Sequence, residues 1–462
     1  CIRDSSVSAA WRISEENFFK NSSISSWFSN LKLRASYGMM GDDNLGGLYP
    51  DFAYLSGYTY YKGQSLMPDD PFSSVKSKKV IGSAPKGIPV TTISWMKIKL
   101  MNVGIDFGFF DNRLTGEFDL FKRMRDGIPG TPSDIMFPLE TGLSALPENM
   151  NSDMTVGFDA FVKWNDKVGD LKYSVGANIT FARQKNGKRH GEIFGNAWDK
   201  YRWAQSNRWS NVVLNTDQGN AGGVWMWEVI GRFETQEQID SYPVDQDGQN
   251  NATVRPGDVI LRDVNGDGII NDFDERPQAY ASADWPWDSS TSNKNPLISM
   301  GINVGFEWKG FDVAADFAGG FKNTFVADWD LKWGVTRSVN GYYYNNIDVW
   351  RHEDIFDPKS PWIPGKFPAL RGQESHSGRW WNSFYTREVN YLRLRNLVVG
   401  YSLPKNWIRK VGMEQCRIYF QGTNLFCLSS LHDYGFDPEI STVNGQDYPQ
   451  HKVLTLGVNV KF

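Results

Sequence analysis

The last residues of the chain, Lys452-Val453-Leu454-Thr455-Leu456-Gly457-Val458-Asn459-Val460-Lys461-Phe462, read as one extended strand. Leu454, Leu456, Val458, Val460 and Phe462 are apolar, while Thr455, Gly457, Asn459 and Lys461 are polar or small, so one face of the strand is greasy and the other wet. A soluble sheet can hide such a face. A strand that stops at an aromatic without a capping tail is nevertheless common in outer-membrane barrels, whose outward face meets lipid.

The same grammar runs inward. Met101, Val103, Ile105, Phe107 and Phe109 alternate with Asn102, Gly104, Asp106 and Gly108; after a tight turn at Asp111-Asn112, Leu114, Phe118 and Leu120 resume against Thr115, Glu117 and Asp119. That pattern is a hairpin. A second sets Val156, Phe158, Ala160, Val162 and Trp164 against Leu171, Tyr173, Val175, Ala177, Ile179 and Phe181 across a turn at Asn165 to Asp170. A third sets Met300, Ile302, Val304, Phe306 and Trp308 against Phe311, Val313, Ala315 and Phe317 across Lys309-Gly310. Shorter β-like runs at Val7 to Ile13, Leu31 to Tyr37 and Phe52 to Tyr61 precede them, and Tyr391 to Tyr401 and Arg417 to Phe426 lead into the closing strand. Roughly fourteen strands are expected, the weakest between Tyr201 and Phe233 and around Phe321 to Trp333. Asp69 to Pro89, broken by prolines, reads as a loop.

Two physical features turn this grammar into an environment. Each stripe covers about nine to twelve positions, the length a tilted strand needs to cross a bilayer and more than a soluble strand usually has. The short turns also alternate with long stretches, Arg125 to Asn149, Gln184 to Tyr201 and Lys322 to Glu388, as periplasmic turns alternate with external loops. The fold class expected is all-β, an antiparallel transmembrane β-barrel with long extracellular loops.

Composition agrees. Aromatics make up 15% of the 462 residues, Gly contributes 44, and charged residues are only 22%, which suits many strands joined by turns. Mean hydropathy is −0.47, and no run of about 18 apolar residues offers a spanning helix. A net charge of −4 argues against a nucleic-acid partner, which calls for a basic surface. Cys416 and Cys427 fall near opposite ends of one expected strand, too far apart to bridge within it. Cys1 is read as a residue inside a longer protein rather than a lipidated N-terminus, and no signal peptide is visible, which fits a mature and a truncated chain equally well.

The sharpest local motif is Asp263-Val264-Asn265-Gly266-Asp267-Gly268-Ile269-Ile270-Asn271-Asp272-Phe273-Asp274. Asp263, Asn265, Asp267, Asn271 and Asp274 offer oxygens at positions 1, 3, 5, 9 and 12, Gly268 makes the sharp turn, and Ile269 offers its carbonyl, which is Ca²⁺-loop spacing. Asp274 stands where Glu is usual and reaches less far, and no helices flank the loop. The reading is a structural Ca²⁺ staple inside an extracellular loop, against a plain Asp/Asn/Gly turn. Aromatic pairs in the loops, Trp203 and Trp209, Trp225 and Trp227, Trp380 and Trp381, are candidate stacking platforms for sugar rings, against interfacial girdle or loop packing. No carboxylate pair, nucleophile motif or histidine set is placed for catalysis, so no enzyme is expected.

Taken in order, Ser6 to Glu16, Leu31 to Gly38, Gly41 to Asn44, Asn102 to Gly108, the Asp263 loop, Tyr391 to Leu397, Gly400 to Pro404, Asn424 to Phe426 and the closing strand resemble consecutive blocks of the SusC/RagA family of TonB-linked outer-membrane transporters of Bacteroidetes. The resemblance implies a barrel of 22 strands in the complete protein, plugged at its N-terminal side. It implies a SusD-like surface lipoprotein as lid, TonB as energy source, and import of oligosaccharides or, in some members, peptides through the outer membrane of a Gram-negative bacterium. Residues 1–462 match the C-terminal part of that barrel. Plug, TonB box and N-terminal extension find no counterpart, and the closing strand is expected to pair with a first barrel strand outside this sequence, since an exposed edge cannot stand in a bilayer. Two further readings are a soluble or surface-anchored all-β carbohydrate-binding protein and a passive porin.

Overall fold

The alternation in the sequence becomes one large sheet. A computed structural model describes residues 4–43, 54–64, 80–85, 88–92, 94–132, 145–188, 224–279, 296–326, 348–369, 382–432, 436–440 and 450–462, with a few single positions between them, Trp198 and Tyr201 included. The large sheet contains β1 (Ser5–Arg12), β2 (Phe28–Asp42), β5 (Met96–Phe109), β6 (Leu114–Gly130), β7 (Glu148–Val168), β8 (Leu171–Asn186), β13 (Ile298–Trp308), β14 (Phe311–Val326), β17 (Thr386–Ser402), β18 (Gln415–Ser429) and β19 (Val453–Lys461). They hydrogen-bond in that order, each antiparallel to the next. β19 pairs with β18 as expected and lies at one edge, with β1 at the other.

Eight shorter strands stand apart in pairs: β3 (Tyr58–Gln64) with β4 (Val80–Pro85), β9 (Val224–Met226) with β12 (Arg276–Ala279), β10 (Val229–Arg232) with β11 (Val259–Leu261), and β15 (Arg351–His352) with β16 (Trp362–Ile363). This corrects the expected barrel count: the large sheet holds 11 described strands. Of the Tyr-rich run at Phe52 to Tyr61, Tyr58 onward goes to a loop hairpin, as do residues 224–226 and 229–232 of the candidates before Phe233, while residues 321–326 extend β14; residues 52–53, 202–223 and 327–333 of these candidates lie outside the described residues. Short-range alternation does not tell a barrel strand from a loop hairpin, because both need only one buried face.

Register fixes the two faces. Leu454 stands opposite Gly422, and the row continues through Leu397, Ala315, Val304, Val175, Trp164, Leu114, Phe109 and Phe28. It runs from the second residue of β19 to the first residue of β2, that is, from the long-loop end of the sheet to the short-turn end. Such stagger tilts strands against the axis of a closed sheet. This face is open: Leu456 and Val458 on β19 are 78% and 57% exposed, with Val103, Leu120, Val175, Phe306 and Phe420 exposed beside them.

The opposite face is polar and cross-linked. Arg34 donates to Asp106 at 2.7 Å and to Asp119 at 2.9 Å. Arg125 pairs with Asp153 and Arg417 with Asp312, while Asn303 donates to Asp316 at 2.7 Å.

Loop lengths segregate by end. Residues 110–113, 169–170 and 309–310 are tight turns on one side; 43–95, 131–147, 187–297, 327–385 and 430–452 lie on the other. The turn expected at Asn165 to Asp170 is tighter than that, because β7 runs on to Val168 and only Gly169, at φ 60°, and Asp170 are left. Two connections on the short side, 13–27 and 403–414, are longer and carry helical turns.

Candidate metal loop and the polar face

Closed cores lie in the long loops. Phe233, Ile239, Val254 and Ile260 form one; Val259, Leu261 and Ile270 form another, covered by Trp227, Val229, Val244 and Phe384. Arg232 ties this body to the neighbouring loop by donating to the carbonyls of Gly365 and Lys366, with its guanidinium 4.8 Å from the Phe384 ring centre.

The Asp263–Asp274 loop grows from the second core. Ile270 is buried there, so the residues around it curl outward. Gly266 and Gly268 turn the chain at φ 76° and 81°, in the left-handed region that costs little only for glycine. Asp263 accepts from the N–H groups of Gly266 at 2.6 Å and Gly268 at 2.8 Å. Asp267 accepts from Ile269 N–H at 2.9 Å and from the amides of Asn265 and Asn271. Asp274, fully buried, accepts from Val264 and Asn271, each at 2.9 Å.

The loop therefore gathers its acids as the spacing requires. Oxygens of Asp263, Asp267 and Asp274 lie within 4.8 Å of one another. Two ligands on opposite sides of a calcium ion stand about 4.6–5.2 Å apart, twice the usual Ca–O distance, so the span fits that cation. Each oxygen already accepts an N–H group, yet a carboxylate keeps further lone pairs for a metal. The Ile269 N–H and the Asn265 and Asn271 amides hold the Asp267 carboxyl below its ordinary range. Asn271 caps the following turn through its side chain, and Asn265 accepts from Asp267 N–H at 2.9 Å.

Sequence reading missed the segment that supports this loop. Asp245-Gln246-Asp247-Gly248 begins a second Asx-rich turn, and it zips onto the first: Asp245 N–H donates to the Gly268 carbonyl at 2.8 Å, and Ile270 N–H donates back to Asp245 at 2.9 Å. Burial pushes the Asp247 carboxyl up, but donation from Thr253 backbone and hydroxyl and from Gln249 outweighs it, and the carboxyl is held well below the ordinary value. The D-x-D-G spacing was readable. Its docking was not.

Of the aromatic candidates, Trp203, Trp209, Trp380 and Trp381 lie outside the described residues, and Trp225 sits in β9. Trp227 is half-buried against the loop core and donates its indole N–H to Asn271. Cys416 and Cys427 are both free thiols, at either end of β18.

On the polar face one cluster reaches a long loop. β17 bulges at Arg395, between Leu394 and Asn396, so that Arg393 and Arg395 both meet Glu439. Arg393 also pairs with Asp437 at 2.5 Å, and Gln450 donates to Glu439 at 3.0 Å. The segment after β18 is thus fastened to the polar face by charge.

No protein-family model matches the chain. Along 99% of its length it is 23% identical to the TonB-dependent receptor SusC of Bacteroides thetaiotaomicron, covering 40% of that protein. It is equally 23% identical to the TonB-dependent receptor P39 of Formosa agariphila, covering 42%. Among solved structures, the RagAB peptide transporter superimposes on 99% of the chain with a TM-score of 0.62 at 20% identity, covering 43% of that chain. The RagAB importer in its closed-closed state gives the same score at 21% identity. The chain spans about two fifths of the length of the relatives it matches.

An apolar outer face, a polar ion-paired face and loop lengths segregated by end are those of an outer-membrane β-barrel, and the fold is the one the RagAB transporter barrel shares. Within that class the chain is SusC/RagA-like. Its polar face is then the lumen side, and its short turns are periplasmic.

Proposed function

We propose that the chain is the C-terminal barrel part of a nutrient importer that takes up oligosaccharides across the outer membrane with a SusD-like surface lipoprotein, energised by TonB through a plug that the relatives' greater length leaves room for. The observation that carries this reading is the likeness to a SusC receptor along 99% of the chain. The long loops, built around their own cores at one end of the sheet, form a mouth at the cell surface, and the ion pairs of Arg34, Arg125 and Arg417 line the passage below it.

The Asp263–Asp274 loop serves this reading as a staple. Ca²⁺ held by Asp263, Asn265, Asp267, Asn271, Asp274 and the Ile269 carbonyl would neutralise three clustered carboxylates and fix the loop body beside the mouth. Ligand contacts from Trp203, Trp209, Trp225, Trp380 and Trp381 belong to the same proposal; Trp227 has its indole N–H engaged in loop packing.

A second reading, peptide import, is favoured by the likeness to the RagAB peptide transporter. The native complex, purified from outer membranes with its partner lipoprotein and analysed by mass spectrometry for bound small molecules, separates the two. Bound glycan, with loss of growth on that glycan when the gene is deleted, supports the first reading; bound peptide replaces it with the second. Recovery of the protein from the soluble fraction, monodisperse without detergent, overturns both.

A further inference from the structure

The connection between β17 and β18 is longer than a barrel turn needs. After Leu403 and Pro404 the chain makes a helical turn, Lys405–Ile408, and a 3-10 turn, Arg409–Val411, and leaves through Gly412 at φ 77°. Ile408 points inward at 3% exposure and Trp407 outward at 65%. The helical turn packs on β18, and Leu403 just before it donates its N–H to the Cys416 carbonyl at 2.9 Å. Cys416 there shares the outward row with Val460, yet it is 7% exposed, against 41% for Ile418 two residues on. The helical turn therefore sits over the outer side of the sheet's periplasmic rim.

Its charge is one-sided. Lys405, Arg409 and Lys410 are exposed around Trp407, and among the described residues no carboxylate lies within ion-pair distance of any of them. Glu414, the nearest acid in sequence, is taken by Lys461 at 3.1 Å. The neighbouring turn of the same rim repeats the combination, with Lys309 Nζ 5.5 Å from the ring centre of Trp308.

We propose that residues 404–412 form a docking surface for the headgroups of anionic phospholipids in the periplasmic leaflet. The surface is continuous with the apolar outer face through Ile418, Val460 and Phe462, all exposed, so its depth is that of the headgroups. Tryptophan prefers that depth, with its ring among acyl chains and its N–H in the wet layer. Three unpaired cations beside it complement phosphate, and each favours an anionic over a zwitterionic surface by about fivefold. Acidic headgroups are thereby selected over neutral ones.

The test uses the full-length transporter in phosphatidylethanolamine vesicles containing one quarter phosphatidylglycerol, with bromine on the acyl chains of either lipid in turn. The quenching owed to Trp407 is the difference between the parent and Trp407→Phe. It is expected to be at least about fivefold stronger per brominated phosphatidylglycerol than per brominated phosphatidylethanolamine, and a triple variant, Lys405→Gln, Arg409→Gln and Lys410→Gln, should equalise the two. Native mass spectrometry of the parent, which needs no variant to fold, should show phosphatidylglycerol retained after phosphatidylethanolamine is stripped. Equal quenching by the two lipids overturns the proposal. So does the absence of any Trp407 share in either lipid, which would instead turn this surface toward a soluble periplasmic partner.

Discussion

The indole Nε1 of Trp227 donates to the main-chain carbonyl of Asn271 at 2.8 Å. Ser383 N–H donates in turn to the Trp227 carbonyl at 2.9 Å, so one tryptophan joins the Asp263–Asp274 loop to the segment that enters β17. Trp227→Phe keeps a ring in the loop core and deletes the donor. The lost bond is worth about 1 kcal/mol, and hydrogen exchange at residues 263–274 should rise about fivefold, while β17 and β18 keep their protection.

Calcium binding predicts a metal-dependent loop on a metal-independent barrel. Asp263→Ala or Asp267→Ala should leave the heat-modifiable electrophoretic mobility of the barrel unchanged and raise exchange in residues 263–274. A chelator should do the same to the parent protein and nothing further to either variant. Equal loop protection with and without chelator would count against a metal.

Asp247 gives the loop body an acid limit. Its carboxyl is lowered in the fold from an ordinary value of 3.8, so the stability it adds is present above that value and is lost as pH falls through its folded pKa. Exchange protection at residues 244–254 should stay level from pH 7 to about pH 5 and decline below about pH 4. Asp247→Asn should remove the pH dependence and lower protection throughout.

Arg393 is nearly enclosed, with side-chain exposure of 5%, between Asp437 and Glu439, exposed 13% and 8%. Its Nε lies 3.1 Å from Glu439 in ion-pair contact but without hydrogen-bond alignment, so Asp437 holds the directional bond. Arg393→Met leaves Asp437 without its cation and Glu439 with Arg395 alone, and should destabilise the docked segment by about 3–5 kcal/mol. Proteolysis within residues 430–452 of the reconstituted protein measures this. A double variant that also carries Asp437→Leu should recover part of the loss.

The alternation of Met101 to Phe109, Val156 to Phe181 and Met300 to Phe317 was readable because a strand shows its environment every second residue, and a bilayer imposes that rule over the full length of each strand. The clustering of Asp263, Asp267 and Asp274 was readable because they lie within twelve consecutive residues. The run from Phe52 to Tyr61 was counted with the barrel strands because its own alternation carries no address, and its partner strand Val80–Pro85 lies in the stretch Asp69 to Pro89 that was read as a loop. Arg393, Asp437 and Glu439 gave no signal, since 44 residues separate the first bonded pair and only the strand bulge, which flips the alternation between Asn396 and Leu394, puts Arg393 on the polar face.

The sequence by itself determined which residues face lipid, which way the hairpins run, and that the acids of Asp263 to Asp274 gather in one loop, because these depend on neighbours two to twelve positions apart. Only the tertiary structure decided which strands share the large sheet, how they are staggered from Leu454 to Phe28, and which loops dock on one another. Those choices are made by hydrogen-bond register and buried charge between distant segments, and no local pattern in the chain encodes the distance they span.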